Sequence, residues 1–370
     1  MINLEKIQTY NNNKHCLIKT ENNIFNVVNS LIGLHSARLI TPFSTLNTRL
    51  DDFNPEELIS ETFTKNNLIK LRCMRTTLHT VNLDMAPIVH QSTRKIRNTI
   101  CLGLLKKLNV TNSTILYIEE LIKSILQENE LSSKEIENYL FIKKNININV
   151  TRAIIKKLWE DGIICYLNKS TYWGTEKRIY ALTEKRYPTL FLEGISETDS
   201  LKKLIHIYIK QYGPVTEQDI VWWTGLPVSL IRKSLEYLKK EFCIIHIKEI
   251  KSPFFLLNED LETLKETENQ SDFTNIKLLA YEDPFLKGYF ESRLRYVSKK
   301  NYSALFNPIG EARSSIIKNG MIVGLWKWNK KSNTVETELF EKFSKNDSKI
   351  LDIEVVKTIK CLSKNEKTLK

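Results

Sequence analysis

Asn149-Val150-Thr151-Arg152-Ala153-Ile154-Ile155-Lys156-Lys157-Leu158-Trp159-Glu160-Asp161-Gly162 runs without a break into Ile163-Ile164-Cys165-Tyr166-Leu167. In the first run Val150, Ile154, Ile155 and Leu158 recur at the spacing of one helix face, and Gly162 supplies the stop. The second run is rich in β-formers, as is Arg178-Ile179-Tyr180-Ala181-Leu182, and a polar, basic stretch joins them. Upstream, Ser132-Ser133-Lys134-Glu135 has the spacing of a capping box that opens a helix. Before it, Leu121, Ile122, Ile125 and Leu126 stripe one more helix. Three helices followed by a β-hairpin is the order of a winged helix-turn-helix.

The order recurs downstream. Leu201 to Gln211 reads as a helix broken by Gly213-Pro214, and Thr216-Glu217-Gln218-Asp219 caps a short helix ending at Thr224-Gly225. Pro227 precedes a third helix carrying Leu230, Leu235 and Leu238, and residues 242–247 supply a strand. A repeated order argues for tandem units. Toward the N-terminus, Thr41-Pro42 and Asn54-Pro55-Glu56-Glu57 read as capped, proline-led helix starts. Val27, Val28, Leu31 and Leu34 form an apolar stripe ending at His35-Ser36-Ala37-Arg38, and Leu68 to Val81 reads as extended.

Past the repeats, Asn319-Gly320 between Ile316-Ile317-Lys318 and Met321-Ile322-Val323 predicts a tight hairpin. Thr334 to Leu339 alternates as a further strand, so a small antiparallel sheet or barrel is expected, closed by a terminal helix from about Ile350 to Leu362. The predicted fold class is α+β, mainly α, with tandem winged helix-turn-helix units and a small C-terminal β-barrel. Its parts are 1–117, 118–190, 191–260 and 261–370.

Composition narrows the partner. Lys and Arg total 55 against 43 for Asp and Glu, a net charge of +12, which favours nucleic acid over a membrane surface. No apolar run approaches the ~18–20 residues needed to span a bilayer. The polar start lacks a signal-peptide core, so a cytoplasmic protein is expected. The six cysteines are scattered, which encodes neither a zinc knuckle nor a redox pair, and no metal or cofactor is expected.

In the first winged unit the third helix would expose Arg152, Lys156 and Lys157. The wing carries Lys169, Trp173, Lys177 and Arg178, a mix suited to phosphate contact and stacking. A solvated face with an anchoring tryptophan would look the same. His35 is the most interesting candidate for chemistry, by its place at the end of an apolar stripe, although a lone histidine there is more often structural. Arg75 and His79, four residues apart in a strand, would share one face and line a cleft.

Five collinear blocks carry a resemblance. They are Ile32-Gly33-Leu34-His35-Ser36-Ala37-Arg38 through Pro42 to Thr48-Arg49-Leu50; Met74-Arg75-Thr76-Thr77-Leu78-His79; Gly213-Pro214-Val215-Thr216 with Asp219 and Trp222-Trp223-Thr224-Gly225-Leu226; Leu278-Leu279 with Asp283, Leu286 and Gly288-Tyr289; and Asn319-Gly320 with Val323-Gly324 and Trp326. Together they resemble the AlkZ-type DNA glycosylases of the winged-helix DNA-binding superfamily. The resemblance implies a C-shaped, cytoplasmic, metal-free monomer that holds damaged double-stranded DNA and hydrolyses the N-glycosidic bond of alkylated purines, bulky and crosslinked adducts included.

It places His35 on the first position of a paired polar motif that orients the attacking water, and Arg38, Arg75 and His79 against the DNA. Two residues depart from the pattern. Ala37 stands where the family has Gln or Asp, and Thr76 replaces a usual glycine. The departures leave open a DNA-binding protein or regulator that does not cut, and Asp283 is either a substitute carboxylate or a cap and salt-bridge partner. A protein-interaction scaffold is a third possibility, which the basic charge disfavours.

Overall fold

Helix α1 (Leu4–Lys14) begins beneath Asn3, whose side chain accepts from the Lys6 N–H at 2.9 Å. The computed structural model describes residues 2–170, 174–247, 250–268 and 274–363, a mixed α/β chain about half helical. Helix α2 (Ile24–Ser30) buries Ile24, Val27 and Val28. The chain then turns through Ile32 and Gly33, at φ +55° and +103°, into β1 (Leu34–His35). Only glycine fits at 33, where a Cβ would lie 2.6 Å from Val81 Cγ1.

Helices α3 (Ile40–Arg49) and α4 (Pro55–Phe63) follow. Asn54 caps α4 as its sequence predicts, but Thr41 does not cap α3. Its hydroxyl donates instead to the Tyr281 carbonyl at 2.9 Å, a tertiary partner that local sequence does not reveal.

β2 (Leu68–Arg72) and β3 (Leu78–Asn82) pair antiparallel, and β3 is the middle strand of the order β1-β3-β2. The extended run expected over residues 68–81 is therefore broken. A tight turn at 73–77 reverses the chain, with Arg75 and Thr76 at φ +52° and +56°.

The long helix α5 (Ala86–Lys107) leads to α6 (Asn112–Glu128), α7 (Ser133–Lys144), α8 (Ile148–Glu160) and the hairpin β4 (Ile164–Asn168) and β5 (Arg178–Leu182). The Ser132–Glu135 capping box forms. Ile154, Ile155 and Leu158 enter one core with Ile118, Ile122, Ile136 and Leu140. After α9 (Thr183–Arg186), the same order of three helices and a hairpin returns as α10 (Glu197–Tyr212), α11 (Glu217–Thr224), α12 (Val228–Leu238), β6 (Phe242–Ile247) and β7 (Ile250–Leu257).

α13 (Leu261–Glu266), β8 (Ile276–Leu279), α14 (Pro284–Lys287) and α15 (Tyr302–Leu305) precede β9 (Ser315–Lys318), β10 (Met321–Asn329), β11 (Thr334–Leu339) and α16 (Lys345–Ser363). The Asn319-Gly320 turn joins β9 to β10 in the sheet β11-β10-β9-β8. Among the described residues this sheet stays open, contrary to the expected barrel: β8 and β11 do not pair. The terminal helix starts earlier than predicted and packs on both of these edge strands, which covers the edges without closure.

Two cores draw distant parts of the chain together. Val27, Val28, Leu34 and Leu46 pack with Ile276, Leu278, Ile316 and Leu351. Leu71, Met74 and Val81 pack with Tyr208, Tyr212, Trp223 and Phe285. Among the described residues no helix is long and apolar enough to cross a membrane, and no cluster of His, Cys, Asp and Glu is arranged to hold a metal ion.

Candidate functional site around His35

The sheet places His35 directly opposite His79. Ser36 fixes the end of β1, its N–H donating to the Leu78 carbonyl at 2.7 Å and its hydroxyl lying 2.9 Å from Thr80 Oγ1. The His35 ring is 7% exposed, and its Nδ1 is buried without a hydrogen-bond partner. Burial, followed by the neighbouring His79, Lys287, Arg75 and Arg38, holds its pKa well below the usual imidazole range. His79 Nδ1 lies 3.3 Å from the Thr77 carbonyl and 3.4 Å from Cys73 Sγ. Burial of the His79 ring, with a further push from Arg75, takes its pKa down to about 4. Both rings are neutral at physiological pH, so each keeps a nitrogen that can accept a hydrogen bond.

These rings face a pocket of about 30 Å³, whose other polar walls are Arg75, Thr77, Glu282 and Lys287 and whose apolar walls include Tyr212 and Trp223. A water needs roughly 10–15 Å³ on this measure, so the pocket takes one or two waters and no base. Strained backbone lines it and adjoins it: Arg75 and Glu282 in the lining, and Ile32 and Thr76 next to lining residues in sequence, are non-glycine residues at φ between +52° and +56°, each costing on the order of 1–3 kcal/mol, a pattern that clusters at functional sites.

Arg75 reaches the pocket from the β2–β3 turn, not from a strand face as its spacing predicts. Gly225, at φ +71° after α11, allows this approach: a Cβ there would come within 2.9 Å of the Arg75 Cα. The indole of Trp222 then gathers three cations, with Arg75 at 4.0 Å, Arg293 at 5.0 Å and Lys287 at 5.3 Å from its ring. Phe290 stacks on the same indole. Desolvation in this company lowers the Lys287 pKa to about 8, against the opposing pull of Glu282.

Arg38 is exposed, its guanidinium 3.5 Å from the Tyr281 ring centre. It lines a much larger groove of about 870 Å³ that also takes in Arg313, Trp326, Lys327 and Trp328. Gly174 of the β4–β5 connection lines this groove as well, so the first hairpin reaches the cleft beside the His35 segment.

The other basic candidates differ in their freedom. Arg152 is exposed but bound to Glu137 at 2.9 Å, and Lys157 is spoken for by Glu119 and Asp161 at 2.7 and 2.8 Å. Lys169 pairs with Glu130 and Arg178 with Glu176, while Arg178 also lies over Trp159 and Tyr166. Lys156 and Lys177 form no salt bridge among the described residues, although the Lys177 charge is felt at Glu135. Trp173 lies outside the described residues.

Sequence reading misses Glu282, Lys287 and the role of Trp222. Their only signal is position inside the third and fourth blocks, where attention falls on Asp283. That residue is fully buried in a two-point ion pair with Arg49 (2.9 and 2.7 Å) and also caps α14, so it is structural. Ala37 occupies an exposed bend and does not line the His35 pocket.

The profile of a family described as DNA glycosylase AlkZ-like matches residues 28–357. Among solved structures, the chain is similar to the Streptomyces sahachiroi DNA glycosylase AlkZ, with a TM-score of 0.79 and 18% identity over 98% of this chain and 97% of that one. No curated protein sequence matches.

Proposed function

The chain belongs to the AlkZ-like DNA glycosylase family, and from this premise we propose that it repairs duplex DNA by hydrolysing the N-glycosidic bond of N7-alkylated purines, with His35 holding the attacking water. The observation that carries this reading is the uncharged His35 imidazole, its Nδ1 without a partner, beside a pocket of water's size.

N7-alkylation makes a purine cationic and a good leaving group. Water adds through oxygen to C1′ as the bond to N9 breaks, and the bonding pair returns to the base, which departs neutral. The proton lost by water passes to the His35 nitrogen that oriented it. No acid is needed to protonate the base, and no cofactor takes part. The purine itself is too large for the pocket and sits at its mouth, beside Arg75, while Arg38 lines the larger groove. The two helix–hairpin units act as winged helices, with α8 and the β4–β5 hairpin against the phosphate backbone.

Ala37 favours one competing reading, a protein that binds adducted DNA and leaves it intact. A single-turnover assay on a duplex carrying 7-methylguanine or a bulkier adduct separates the two. Release of the free base, abolished in His35→Ala, supports the glycosylase. An intact adducted strand after prolonged incubation supports the binding protein.

A further inference from the structure

We propose that Glu282 supplies the charge that the side chain at position 37 lacks, its carboxylate facing the reacting sugar across the water pocket. The inference rests on the glycosylase reading above and names a second group for that reaction.

Among the described residues Glu282 is the one acidic side chain lining the His35 pocket. It is 6% exposed and held at two points, Oε1 accepting from the Ala312 N–H at 2.6 Å and Oε2 lying 3.1 Å from Lys287 Nζ. Its own N–H donates to the Ala312 carbonyl at 2.9 Å, which pins the backbone in its left-handed conformation at φ +56°. Lys287 is anchored in turn by donating to the Gly310 carbonyl at 2.9 Å.

A structural carboxylate in this segment looks different. Asp283, one residue on, is sealed from solvent with both oxygens on Arg49 and does not line this pocket. Glu282 spends two of its roughly four acceptor sites on fixed donors and keeps the rest beside the cavity. A buried glutamate in strained backbone, lining the pocket that His35 also lines, is costly to keep for packing alone.

As the C1′–N9 bond breaks, positive charge moves from the base to the sugar. A fixed carboxylate across the pocket stabilises that oxocarbenium character without forming a bond, while His35 takes the water proton. Lys287 is a positioning residue that sets the carboxylate's direction. This division explains how a chain with alanine at 37 retains a working site, because the second polar group enters from the segment after β8.

Glu282→Gln keeps the size and the acceptor for Ala312 and removes the charge, together with the oxygen that meets Lys287. Its single-turnover rate on a 7-methylguanine duplex should fall about 100-fold, with DNA affinity within twofold of wild type. A second measurement compares duplexes holding a cationic pyrrolidine or a neutral tetrahydrofuran in place of the damaged nucleotide. Wild type should bind the cationic one at least tenfold more tightly, and E282Q should lose that preference; E282A is the second variant if E282Q does not fold.

A wild-type rate in E282Q overturns the proposal and leaves the glycosylase reading standing. So does a slower E282Q with its cationic preference intact, which would mark a merely structural role. A wild type that cleaves nothing but prefers the cationic duplex through Glu282 sinks the glycosylase reading and keeps the carboxylate's placement. Absence of both cleavage and preference ends both.

Discussion

His35 and His79 face each other across the β1–β3 ladder, ring centroids 5.5 Å apart and planes at 88°. The perpendicular packing leaves the edge of one ring against the face of the other, so neither can rotate freely. Truncation of the two should therefore differ in kind. His35→Ala removes the water's partner and is expected to lower the single-turnover rate by ~10²–10⁴ with little change in DNA affinity. His79→Ala removes the ring packed against His35 and a second neutral imidazole from the pocket wall, so a loss nearer tenfold is expected, with activity partly kept in His79→Phe. Equal losses for the two alanines would show that His35 is not the group that meets water.

The same burial makes the fold acid-sensitive. His15, His35, His79 and His90 all have pKa values pushed below the ordinary imidazole range, chiefly by desolvation. Below about pH 6.5 the unfolded chain takes up protons that the folded one refuses, so unfolding free energy falls as pH drops. The contribution is complete above 6.5 and, for His79, is lost progressively down to about 4. Each histidine contributes at most about 1.4 kcal/mol per pH unit across its window. Denaturant titrations at pH 7 and pH 5 should differ by several kcal/mol, and His15→Phe should reduce the difference. Equal midpoints would mean these rings take up protons as readily in the folded protein as in the unfolded chain.

What was legible in the sequence was local. The capping boxes at Ser132 and Thr216 and the Asn319-Gly320 turn depend on neighbours within four residues, and all three form as read. The pocket depends on contacts between distant segments. Arg75 arrives there because a left-handed turn fits against Gly225, 150 residues on, and Glu282 arrives because Ala312 holds its backbone. Neither arrangement leaves a periodicity to detect. The barrel failed for a similar reason, since strand alternation cannot show that α16 covers the edges of an open sheet.

Arg49 and Asp283 tie α3 to the segment that carries Glu282, and both side chains are fully buried. Arg49 also donates to the His15 carbonyl at 2.9 Å and the Thr45 carbonyl at 3.1 Å. Removing one charge strands the other in the core, at a cost of about 3–5 kcal/mol. Asp283→Asn should accordingly lower the thermal midpoint by several degrees, whereas Asp84→Asn, on a surface turn, should leave it unchanged. An unaltered midpoint in D283N would put this carboxylate back among the candidates for chemistry.

The basic residues of α8 and the hairpin should separate by whether they are already paired. Every phosphate contact releases counterions and steepens the dependence of log Kd on log salt by close to one unit. Lys156 and Lys177 form no salt bridge among the described residues, so Lys156→Ala and Lys177→Ala should each flatten that slope by about 0.9. Lys157 sits between Glu119 and Asp161, and both buried carboxylates would lose this partner without it. Lys157→Ala should therefore cost stability and leave the slope alone. Titrations of one duplex between about 50 and 200 mM salt read all three. If K157A flattens the slope as much as K156A, the ion pairs open on binding and the helix presents its whole basic face to DNA.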